Sequence, residues 1–561
     1  MRKILQKPRA WLVVLLVLPL GLSVGFYSRP AGDVHFEITR NMDIFGKMYR
    51  EIHTSYVDDV DPTDFMRTGI DAMLKSLDPY TNYISASEIE DYRFQSTGQY
   101  GGIGAVVGKM DKRVVITEPY EGYPAVKAGL LAGDEIIQID QEVINEDNVG
   151  EIDVRDLLRG QPKTTVTLKI KRVGTPKPFD VEVERADIRI KNVPYKGMVD
   201  DQVGYVSLTG FTPGAAKEVK SAIEELRKTT PDMKGLILDL RGNPGGLLYE
   251  AIDISNLFVP QGEKIVETRG KMESSLKNYT ARSNPTVPNM PLAVLINRRS
   301  ASASEIVSGV MQDLDRGVIV GQRSFGKGLV QTTRPLSYNS QIKVTTAKYY
   351  TPSGRCIQAI DYSNRNEDGS VGKIPDSLQN SFTTAAGRTV KDGGGVEPDI
   401  EVELPEYHTV TRELLRQNIV FDFASQYRVD HESIPPAREF QITDALYAEF
   451  IAYCGQREFT FETKTEKEFA RLKELMEEEK YAEALDAELK AIDAKIHTEK
   501  GQDLKDFRDE IARLLKDEIV GRYYLRVGKI ESSFNSDPEV LAAAKILQNP
   551  AAYQKTLGVE Q

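Results

Sequence analysis

The chain has little cysteine and no excess of positive charge, and each shortage excludes a class of protein. Its 561 residues include two cysteines, Cys356 and Cys454, too few for a disulfide scaffold or a zinc-finger array. These two could pair with each other, or both could remain thiols. Basic residues number 72 against 84 acidic residues, a formal net charge of −12. Because phosphate binding needs a basic surface, this balance disfavours nucleic acid as the main partner.

The N-terminus combines positive charge with an uncharged apolar run. The segment "MRKILQKPR" is basic, and residues 10–26 carry no charge. This order is typical of an export signal, and the run is just long enough to span a membrane. No A-x-A cleavage site follows, and no cysteine nearby offers a lipid attachment point. We therefore expect residues 1–30 to be a signal anchor or a signal peptide. Either would place the rest in the cell envelope, in the periplasm or on the extracytoplasmic face of the inner membrane.

Four regions follow, distinguished by their hydrophobic periodicity. Residues 34–98 show apolar spacings of three and four, as in "DFMRTGIDAMLKSL", and predict helices. Residues 99–185 predict a compact β-rich module, with segments such as "TTVTLKIKR". In residues 186–405, strands that are apolar throughout, such as "GLILDL", alternate with helical segments, which favours a parallel α/β sheet. Residues 406–561 are charged and helical, and their charge runs are typical of solvated helix faces.

The pentapeptide "SASEI" occurs twice, at residues 85–89 and 302–306. Ser-x-x-Glu is a capping box, so either copy can start a helix. The second copy differs because the apolar strand "PLAVLI" precedes it and alanines flank Ser302. At a strand-to-helix turn, at the carboxyl end of a parallel strand, helix N–H groups can stabilise an oxyanion. The pattern predicts Ser302 as a nucleophile and Ser85 as an ordinary helix start.

A serine nucleophile needs a base, and the choice in this chain is narrow. None of the five histidines lies in residues 186–405, so a Ser–His–Asp triad is excluded there unless a histidine arrives from elsewhere. Lys327, in "RSFGKGLVQ", could act as a neutral amine if burial lowers its pKa. If "GKGLVQ" is a strand, Lys327 and Gln331 share a face, and the amide could hold the amine. Taken alone, the residues favour a solvated lysine in a glycine turn.

The stretch from "SASASEI" to "GVIVGQRSFGKGLVQ" resembles the active-site segment of the carboxyl-terminal processing peptidases, also called tail-specific proteases. "DPYTNYI", "YGGIGAVV", "GLILDLRGNPGGLL" and "KYYTPSGRCIQ" are similar to further family blocks, over roughly residues 41–404. The resemblance implies a multidomain α+β fold: an N-terminal helical region, a PDZ domain, an α/β Ser/Lys peptidase core and a helical C-terminal extension. It implies a serine endopeptidase without cofactors, and no metal-ligand cluster is visible. The catalytic serine, lysine and glutamine carry over to Ser302, Lys327 and Gln331.

The resemblance also gives roles to two glycine-rich turns. In "LRGNPGG", the backbone N–H groups of Gly245 and Gly246 would form an oxyanion hole with that of Ala303. The residues alone indicate a tight strand-to-helix connection. A phosphate-binding loop is disfavoured, because no G-K-[ST] motif follows the glycines.

The β-rich module contains two further candidates. Arg159, in "LLRG", could sense a bound ligand or be a surface arginine. A PDZ domain would hold the terminal carboxylate of a peptide on "GGIGA", which by itself fits a hairpin, through Gly102, Ile103, Gly104 and Ala105.

The prediction is therefore an endopeptidase that cleaves exported polypeptides captured by their C-terminal tails. We expect contact with the membrane through the N-terminal segment. We also expect self-association or adaptor docking through residues 406–561, because long amphipathic helices need a partner face. Two alternatives stay open: a PDZ-bearing adaptor with an inert peptidase-like region, and a Ser/His hydrolase whose base is His408 or His431.

Overall fold

The computed structural model describes residues 31–365, 370–403 and 406–559. The signal anchor expected in residues 1–30 lies outside the described residues. Within them, no helix combines the length and apolar character that crossing a bilayer requires. The chain forms two compact units, one ending at Tyr83 and the other beginning at Ile84.

The described part of the first unit, residues 31–83, contains the helices α1 (Ala31–Ser55) and α2 (Pro62–Lys75). Helix α2 begins after Asp61 because this side chain accepts two backbone N–H groups of the first turn. The rings of Tyr49 on α1 and Phe65 on α2 stack with centroids 5.8 Å apart. The expectation of helices in residues 34–98 is right for both segments. It is wrong for strand β1 (Asn82–Ile84), where a short extended stretch follows the turn after α2.

The second unit begins with helix α3 (Ile89–Thr97) and a β-rich module. Its main sheet is antiparallel, with the order β3-β4-β5-β7-β8 and β6 beside β5, while β2 pairs with β9. Alternation builds the core: Val166, Leu168 and Ile170 are buried, and the residues between them are more exposed. The elements are β2 (Gln99–Gly102), β3 (Ala105–Met110), β4 (Arg113–Pro119), α4 (Pro124–Lys127), β5 (Glu135–Ile139), β6 (Glu142–Val143), α5 (Val154–Leu158), β7 (Thr165–Lys171), β8 (Phe179–Glu184) and β9 (Ala186–Arg189).

The following region alternates strands with helices up to residue 321, as the apolar runs predict, whereas its described residues from 329 to 401 form strands and no α-helix. Its helices are α6 (Ala215–Thr229), α7 (Leu248–Asn256) and α8 (Ala303–Asp313). Its strands are β10 (Tyr195–Met198), β11 (Val203–Ser207), β12 (Gly235–Asp239), β13 (Lys264–Arg269), β14 (Lys277–Thr280), β15 (Leu292–Ile296), β16 (Val318–Gly321), β17 (Leu329–Pro335), β18 (Gln341–Tyr350), β19 (Ile360–Arg365), β20 (Val371–Lys373), β21 (Ser381–Thr383), β22 (Thr389–Lys391) and β23 (Ile400–Glu401).

Six of these strands form the core sheet, in the order β10-β11-β12-β15-β16-β23. All neighbours are parallel except β10 and β11. Every residue of β11, β12 and β15 is buried, which is why these strands are apolar throughout. One face of the sheet packs on α6, α7 and α8. A second sheet joins β17, β18, β13 and β14, and β17 and β18 form its long hairpin.

The C-terminal extension packs on two parts of the second unit. Val540, Leu547 and Tyr553 on its last two helices bury the other face of the core sheet. Asp422 forms an ion pair with Arg113 of the β-rich module, with 3.3 Å between the charged atoms. The helices are α9 (Thr409–Arg416), α10 (Ile419–Asp430), α11 (Asp444–Gln456), α12 (Lys464–Glu478), α13 (Asp486–Lys500), α14 (Asp503–Asp506), α15 (Arg508–Ser533), α16 (Pro538–Leu547) and α17 (Pro550–Leu557).

Candidate active site

Ser302 lies in a turn between a buried strand and a buried helix. Strand β15 ends six residues before it, and α8 begins at the next residue. Its φ is 55° and its ψ is −111°, a conformation that costs free energy for any residue other than glycine. The side chain is half-buried. The predicted strand–turn–helix arrangement is therefore present, with the serine at the carboxyl end of a parallel strand.

Glu305 holds the main chain on both sides of this site. One carboxylate oxygen accepts the N–H groups of Ser302 (2.8 Å) and Lys327 (2.9 Å), and the other accepts those of Gly326 (2.7 Å) and the Ser324 hydroxyl (2.5 Å). Burial raises the pKa of the fully buried Glu305 to about 7, although each of these hydrogen bonds lowers it. One side chain thus joins the serine turn to the lysine segment. Sequence analysis identified Glu305 only as a capping residue.

Tyr349 on β18 makes a second connection between the same two segments. Its hydroxyl donates to the carbonyl oxygen of Lys327 at 2.7 Å and lies 3.1 Å from that of Ser302. Burial raises the pKa of Tyr349 well above its ordinary value, so the hydroxyl stays protonated and able to donate. Sequence analysis gave this tyrosine no role, although it lies in the family-like block "KYYTPSGRCIQ", because its role depends on β18 lying beside the lysine segment.

The turn after β12, residues 241–246, packs against the serine turn. A Cβ atom on Gly245 would lie 2.8 Å from the backbone nitrogen of Ala303 and 2.9 Å from the Cβ of Ser302. The φ of Gly245 is 98°, so both the close approach and the backbone conformation require glycine. The sequence prediction that this turn lies beside Ser302 agrees with the structure.

Asn243 fastens the two turns together and also engages one of the predicted oxyanion donors. Its backbone carbonyl accepts the N–H of Ala301 (3.0 Å) and the hydroxyl of Ser304 (2.9 Å). Its side-chain Oδ1 accepts the N–H of Gly245 at 2.9 Å. The expectation that Gly245 donates to an oxyanion therefore does not hold in this arrangement, because that N–H is already bound. Gly246 remains a candidate donor.

Arg241 begins the same turn and ties it to the C-terminal extension. Its guanidinium contacts Asp239 at the end of β12 (2.6 Å), Asp537 (2.8 Å) and Glu539 at the start of α16. The hydroxyl of Tyr205 donates to Asp239 at 2.5 Å. Through Arg241, the start of α16 therefore contacts the glycine turn beside Ser302. Sequence analysis missed this connection.

Ser302 and Lys327 line one cavity of about 560 Å³, which Gly246, Ala303 and Gln331 also border. Lys327 is not in a strand, since β17 begins two residues later. The strand considered for "GKGLVQ" therefore does not include Lys327, because its N–H donates to Glu305 instead of a strand neighbour. The side chain of Gln331 donates to the Thr345 hydroxyl at 3.2 Å. Its role in holding the amine stays a prediction.

The histidines considered as alternative bases lie among the C-terminal helices. The ring of His408 stacks on Phe507 with centroids 3.8 Å apart and contacts Glu510 at 3.0 Å. The ring of His431 stacks on Tyr427, with centroids 3.9 Å apart. Among the described residues that line the cavity at Ser302, none is a histidine. The geometry offers no support for a Ser/His pair.

The residues predicted to hold a peptide tail lie where the β-rich module begins. Gly102 ends β2, Ile103 is buried, Gly104 has a φ of 75°, and Ala105 begins β3. Strand β3 is at the edge of its sheet, and a cavity of about 460 Å³ lies between residues of β3 and of α5. An edge strand beside a helix is what strand addition by a peptide needs.

Arg159 follows α5 and packs between this module and α3. It forms an ion pair with Asp91, and its guanidinium carbon lies 5.3 Å from the ring centroid of Phe94 and 5.6 Å from that of Tyr100. These contacts exclude the alternative of a plain surface arginine. Whether Arg159 senses a ligand stays a prediction.

Comparison with known proteins gives three family matches along the chain. The models described as PDZ domain, Peptidase family S41, and Probable PDZ-protease, C-terminal helical domain match residues 115–172, 202–364 and 410–547. A carboxy-terminal-processing protease of Bartonella bacilliformis is 40% identical over 318 residues, 56% of this chain and 72% of that protein. The carboxy-terminal processing protease CtpA of Bacillus subtilis is 34% identical over 335 residues, 60% and 69% of the two chains. Among solved structures, the photosystem II D1 C-terminal processing protease is 28% identical, covering 65% of this chain and 94% of that chain, with a TM-score of 0.35.

Proposed function

This chain belongs to the carboxy-terminal-processing proteases, serine peptidases of family S41 with a PDZ domain, and we propose that Ser302 is its nucleophile and Lys327 its general base. The single observation that carries this proposal is that both residues line one cavity while Glu305 binds the main chain of both. Membership of an enzyme family leaves no reason to keep the inert adaptor as an alternative.

The reaction is proposed as acyl transfer in two steps. The Ser302 hydroxyl oxygen attacks the carbonyl carbon of the peptide bond while the neutral amine of Lys327 takes its proton. Collapse of the tetrahedral intermediate breaks the C–N bond, and the lysine ammonium returns the proton to the leaving amine. Water, deprotonated by the same lysine, then attacks the carbonyl carbon of the acyl-enzyme. The ester C–O bond breaks, the lysine ammonium returns the proton to the Ser302 oxygen, and the second product leaves as a carboxylic acid. Gln331 is proposed to orient the amine.

The negative oxygen of the tetrahedral intermediate needs hydrogen-bond donors. We assign them to the N–H groups of Gly246 and Ala303, which border the cavity beside Ser302. The N–H of Ala303 is also the first of α8, where the helix dipole favours negative charge. Gly245 would join them only after releasing Asn243.

Substrate capture is proposed to occur at the β-rich module. A polypeptide C-terminus would add as a strand beside β3, with its carboxylate on the backbone of residues 102–105. Export and anchoring through residues 1–30 are proposed from the basic segment and the apolar run that follows it. Fractionation of cells that produce the chain tests the location, and a cytoplasmic pool would contradict it. Light scattering of the purified chain tests self-association through the C-terminal helices.

The decisive experiment labels the purified chain with a fluorophosphonate probe and maps the adduct by mass spectrometry. We expect the adduct on Ser302, and we expect denatured casein to be cleaved. Lys327→Ala should abolish both. Lys348→Ala is the matched control, because Lys348 is an exposed lysine on β18. Casein cleavage that persists in a folded Lys327→Ala variant would reject the proposed base.

A further inference from the structure

Lys343 is a second lysine in the cavity that contains Ser302 and Lys327. It lies on β18, directly opposite Thr333 of β17, and is half-buried. Tyr92 of α3 also lines the cavity and hydrogen-bonds to the Thr333 hydroxyl. This part of the cavity is therefore polar, whereas the residues that line it elsewhere include apolar ones such as Leu248 and Ile306.

In the described parts of the chain, Lys343 makes no ion pair and no side-chain hydrogen bond. Among the described residues that line the cavity, two are lysines and none is acidic. Burial lowers the pKa of Lys343, and no nearby carboxylate raises it. Three buried arginines show the usual solution, since Arg355, Arg388 and Arg522 each contact a carboxylate. A partly desolvated ammonium without a partner is costly, so its partner is expected to come from outside the chain.

The position of Lys343 along the hairpin indicates where that partner lies. Thr333, its neighbour, is four residues beyond Leu329, the first residue of β17. At about 3.3 Å per residue, Thr333 lies about 13 Å along β17 from Leu329. Lys327 precedes this strand at its Leu329 end. An extended polypeptide advances by a similar distance per residue. A group on the substrate about four residues from the cleaved bond would therefore reach Lys343.

We propose that Lys343 binds a carboxylate of the bound polypeptide, about four residues from the cleaved bond, and so selects the site of cleavage. This rests on the proposed function of Ser302 and Lys327. The carboxylate can be an Asp or Glu side chain or the terminal carboxylate of a short substrate tail. Both sources present the same charge and the same hydrogen-bond acceptors to the ammonium.

The experiment uses peptides built around a bond that mass spectrometry shows the native enzyme cleaves in denatured casein. One pair carries Glu or Gln at the fourth residue from this bond, tested on each side of it. A second pair ends at the fourth residue after the bond, as a free acid or as an amide. The ratio of kcat/KM within each pair is measured for the native enzyme and for Lys343→Met, Lys343→Arg and Lys348→Met. Lys348→Met is the control, because Lys348 is an exposed lysine on the same strand.

We expect the native enzyme to prefer the carboxylate member of one pair about tenfold, the effect of one charge-assisted hydrogen bond. Lys343→Met should bring that ratio close to one, while Lys343→Arg and Lys348→Met should keep it. A preference within the Glu/Gln pair identifies a side chain as the source, and one within the acid/amide pair identifies the chain terminus. Ratios near one for the native enzyme, or an unchanged ratio in Lys343→Met, would overturn the proposal.

The two proposals fail in different ways. If the native enzyme is labelled on Ser302 and cleaves casein, but shows no preference in either pair, the role of Lys343 alone is rejected. If the fluorophosphonate probe does not label Ser302 and no peptide is cleaved, the proposed function fails, and the role of Lys343 fails with it. Labelling of Ser302 in Lys343→Met confirms that the variant is folded.

Discussion

The two copies of "SASEI" share five residues and have different backbone conformations at their first serine. Ser85 has a φ of −71° and a ψ of 166° and precedes a single 3-10 turn. Ser302 has a φ of 55° and a ψ of −111° and precedes helix α8. In the first copy, the carboxylate of Glu88 accepts the N–H and the hydroxyl of Ser85, at 2.9 and 2.8 Å. In the second, Glu305 also binds three groups of residues 324–327.

Burial explains the difference between the copies. Glu88 is partly exposed, whereas Glu305 is fully buried behind a strand that is itself buried. A buried carboxylate must find donors within the protein, and the segment that carries Lys327 supplies them. At the surface, this capping pattern only starts a helical turn. In the core, its glutamate also holds a second segment of the chain through hydrogen bonds.

The largest expected effect separates the two serines directly. Ser302→Ala should lower the rate of casein cleavage by a factor of about 10³ or more, because the nucleophile is lost. Ser85→Ala should leave the rate within about twofold of native, because Ser85 is a surface turn residue. Initial rates of casein digestion check this. Equal losses in both variants would contradict the assignment of the nucleophile.

The two glutamates should differ next. Glu305→Gln places a donating NH₂ group against donors that need an acceptor, at a cost of about 1–3 kcal/mol. We expect fluorophosphonate labelling of Ser302 to slow by about 10- to 100-fold, because Glu305 no longer holds the serine turn and the lysine segment in their relative positions. Glu88→Gln is the control and should label at the native rate. Native labelling in Glu305→Gln would show that the buried carboxylate positions neither segment.

The pH dependence of stability offers a finer test of the same residue. The pKa of Glu305 is raised from its ordinary 4.5 to about 7 in the folded state. The folded state then holds this proton more tightly than the unfolded chain. Protonated Glu305 therefore contributes on the order of 3 kcal/mol to the free energy of unfolding. This contribution is fully present below about pH 4.5 and is lost as the pH rises through about 7. In calorimetry, the Tm advantage of the native chain over Glu305→Gln should shrink from about pH 5 to about pH 8. A constant difference would contradict the raised pKa.

The smallest expected effect concerns the backbone. At residue 302, glycine should be more stable than alanine by about 1 kcal/mol, because the positive φ strains any residue with a Cβ atom. At residue 85, the φ of −71° is open to alanine, so the advantage of glycine should be smaller. Thermal unfolding of Ser302→Gly, Ser302→Ala, Ser85→Gly and Ser85→Ala measures both differences. Equal differences at the two positions would show that the strain is absent.

Much of the site was predictable because its signals are local. The apolar run of β15 and the capping box of α8 predict the turn at Ser302, and the glycines after β12 predict a tight connection there. The absence of histidines from residues 186–405 pointed to Lys327 as the base, and the resemblance to known peptidases favoured this reading over a solvated lysine in a glycine turn. The condition that Lys327 lies in a strand with Gln331 is not met, because a carboxylate 22 residues earlier in the chain accepts the N–H of Lys327. The side-chain hydrogen bond from Asn243 to Gly245 likewise leaves no mark in the pattern.

The sequence by itself determined the order of regions, the parallel strands and the turn that carries Ser302, because hydrophobic periodicity and helix capping act over a few residues. Only the tertiary structure decided which groups meet at that serine. Arg241 contacts Asp537, which lies 296 positions away in the chain, and Lys343 reaches the cavity through pairing of β17 with β18. Contacts of this kind depend on how layers pack and on which buried groups need partners, and neither requirement is encoded within a short window of residues.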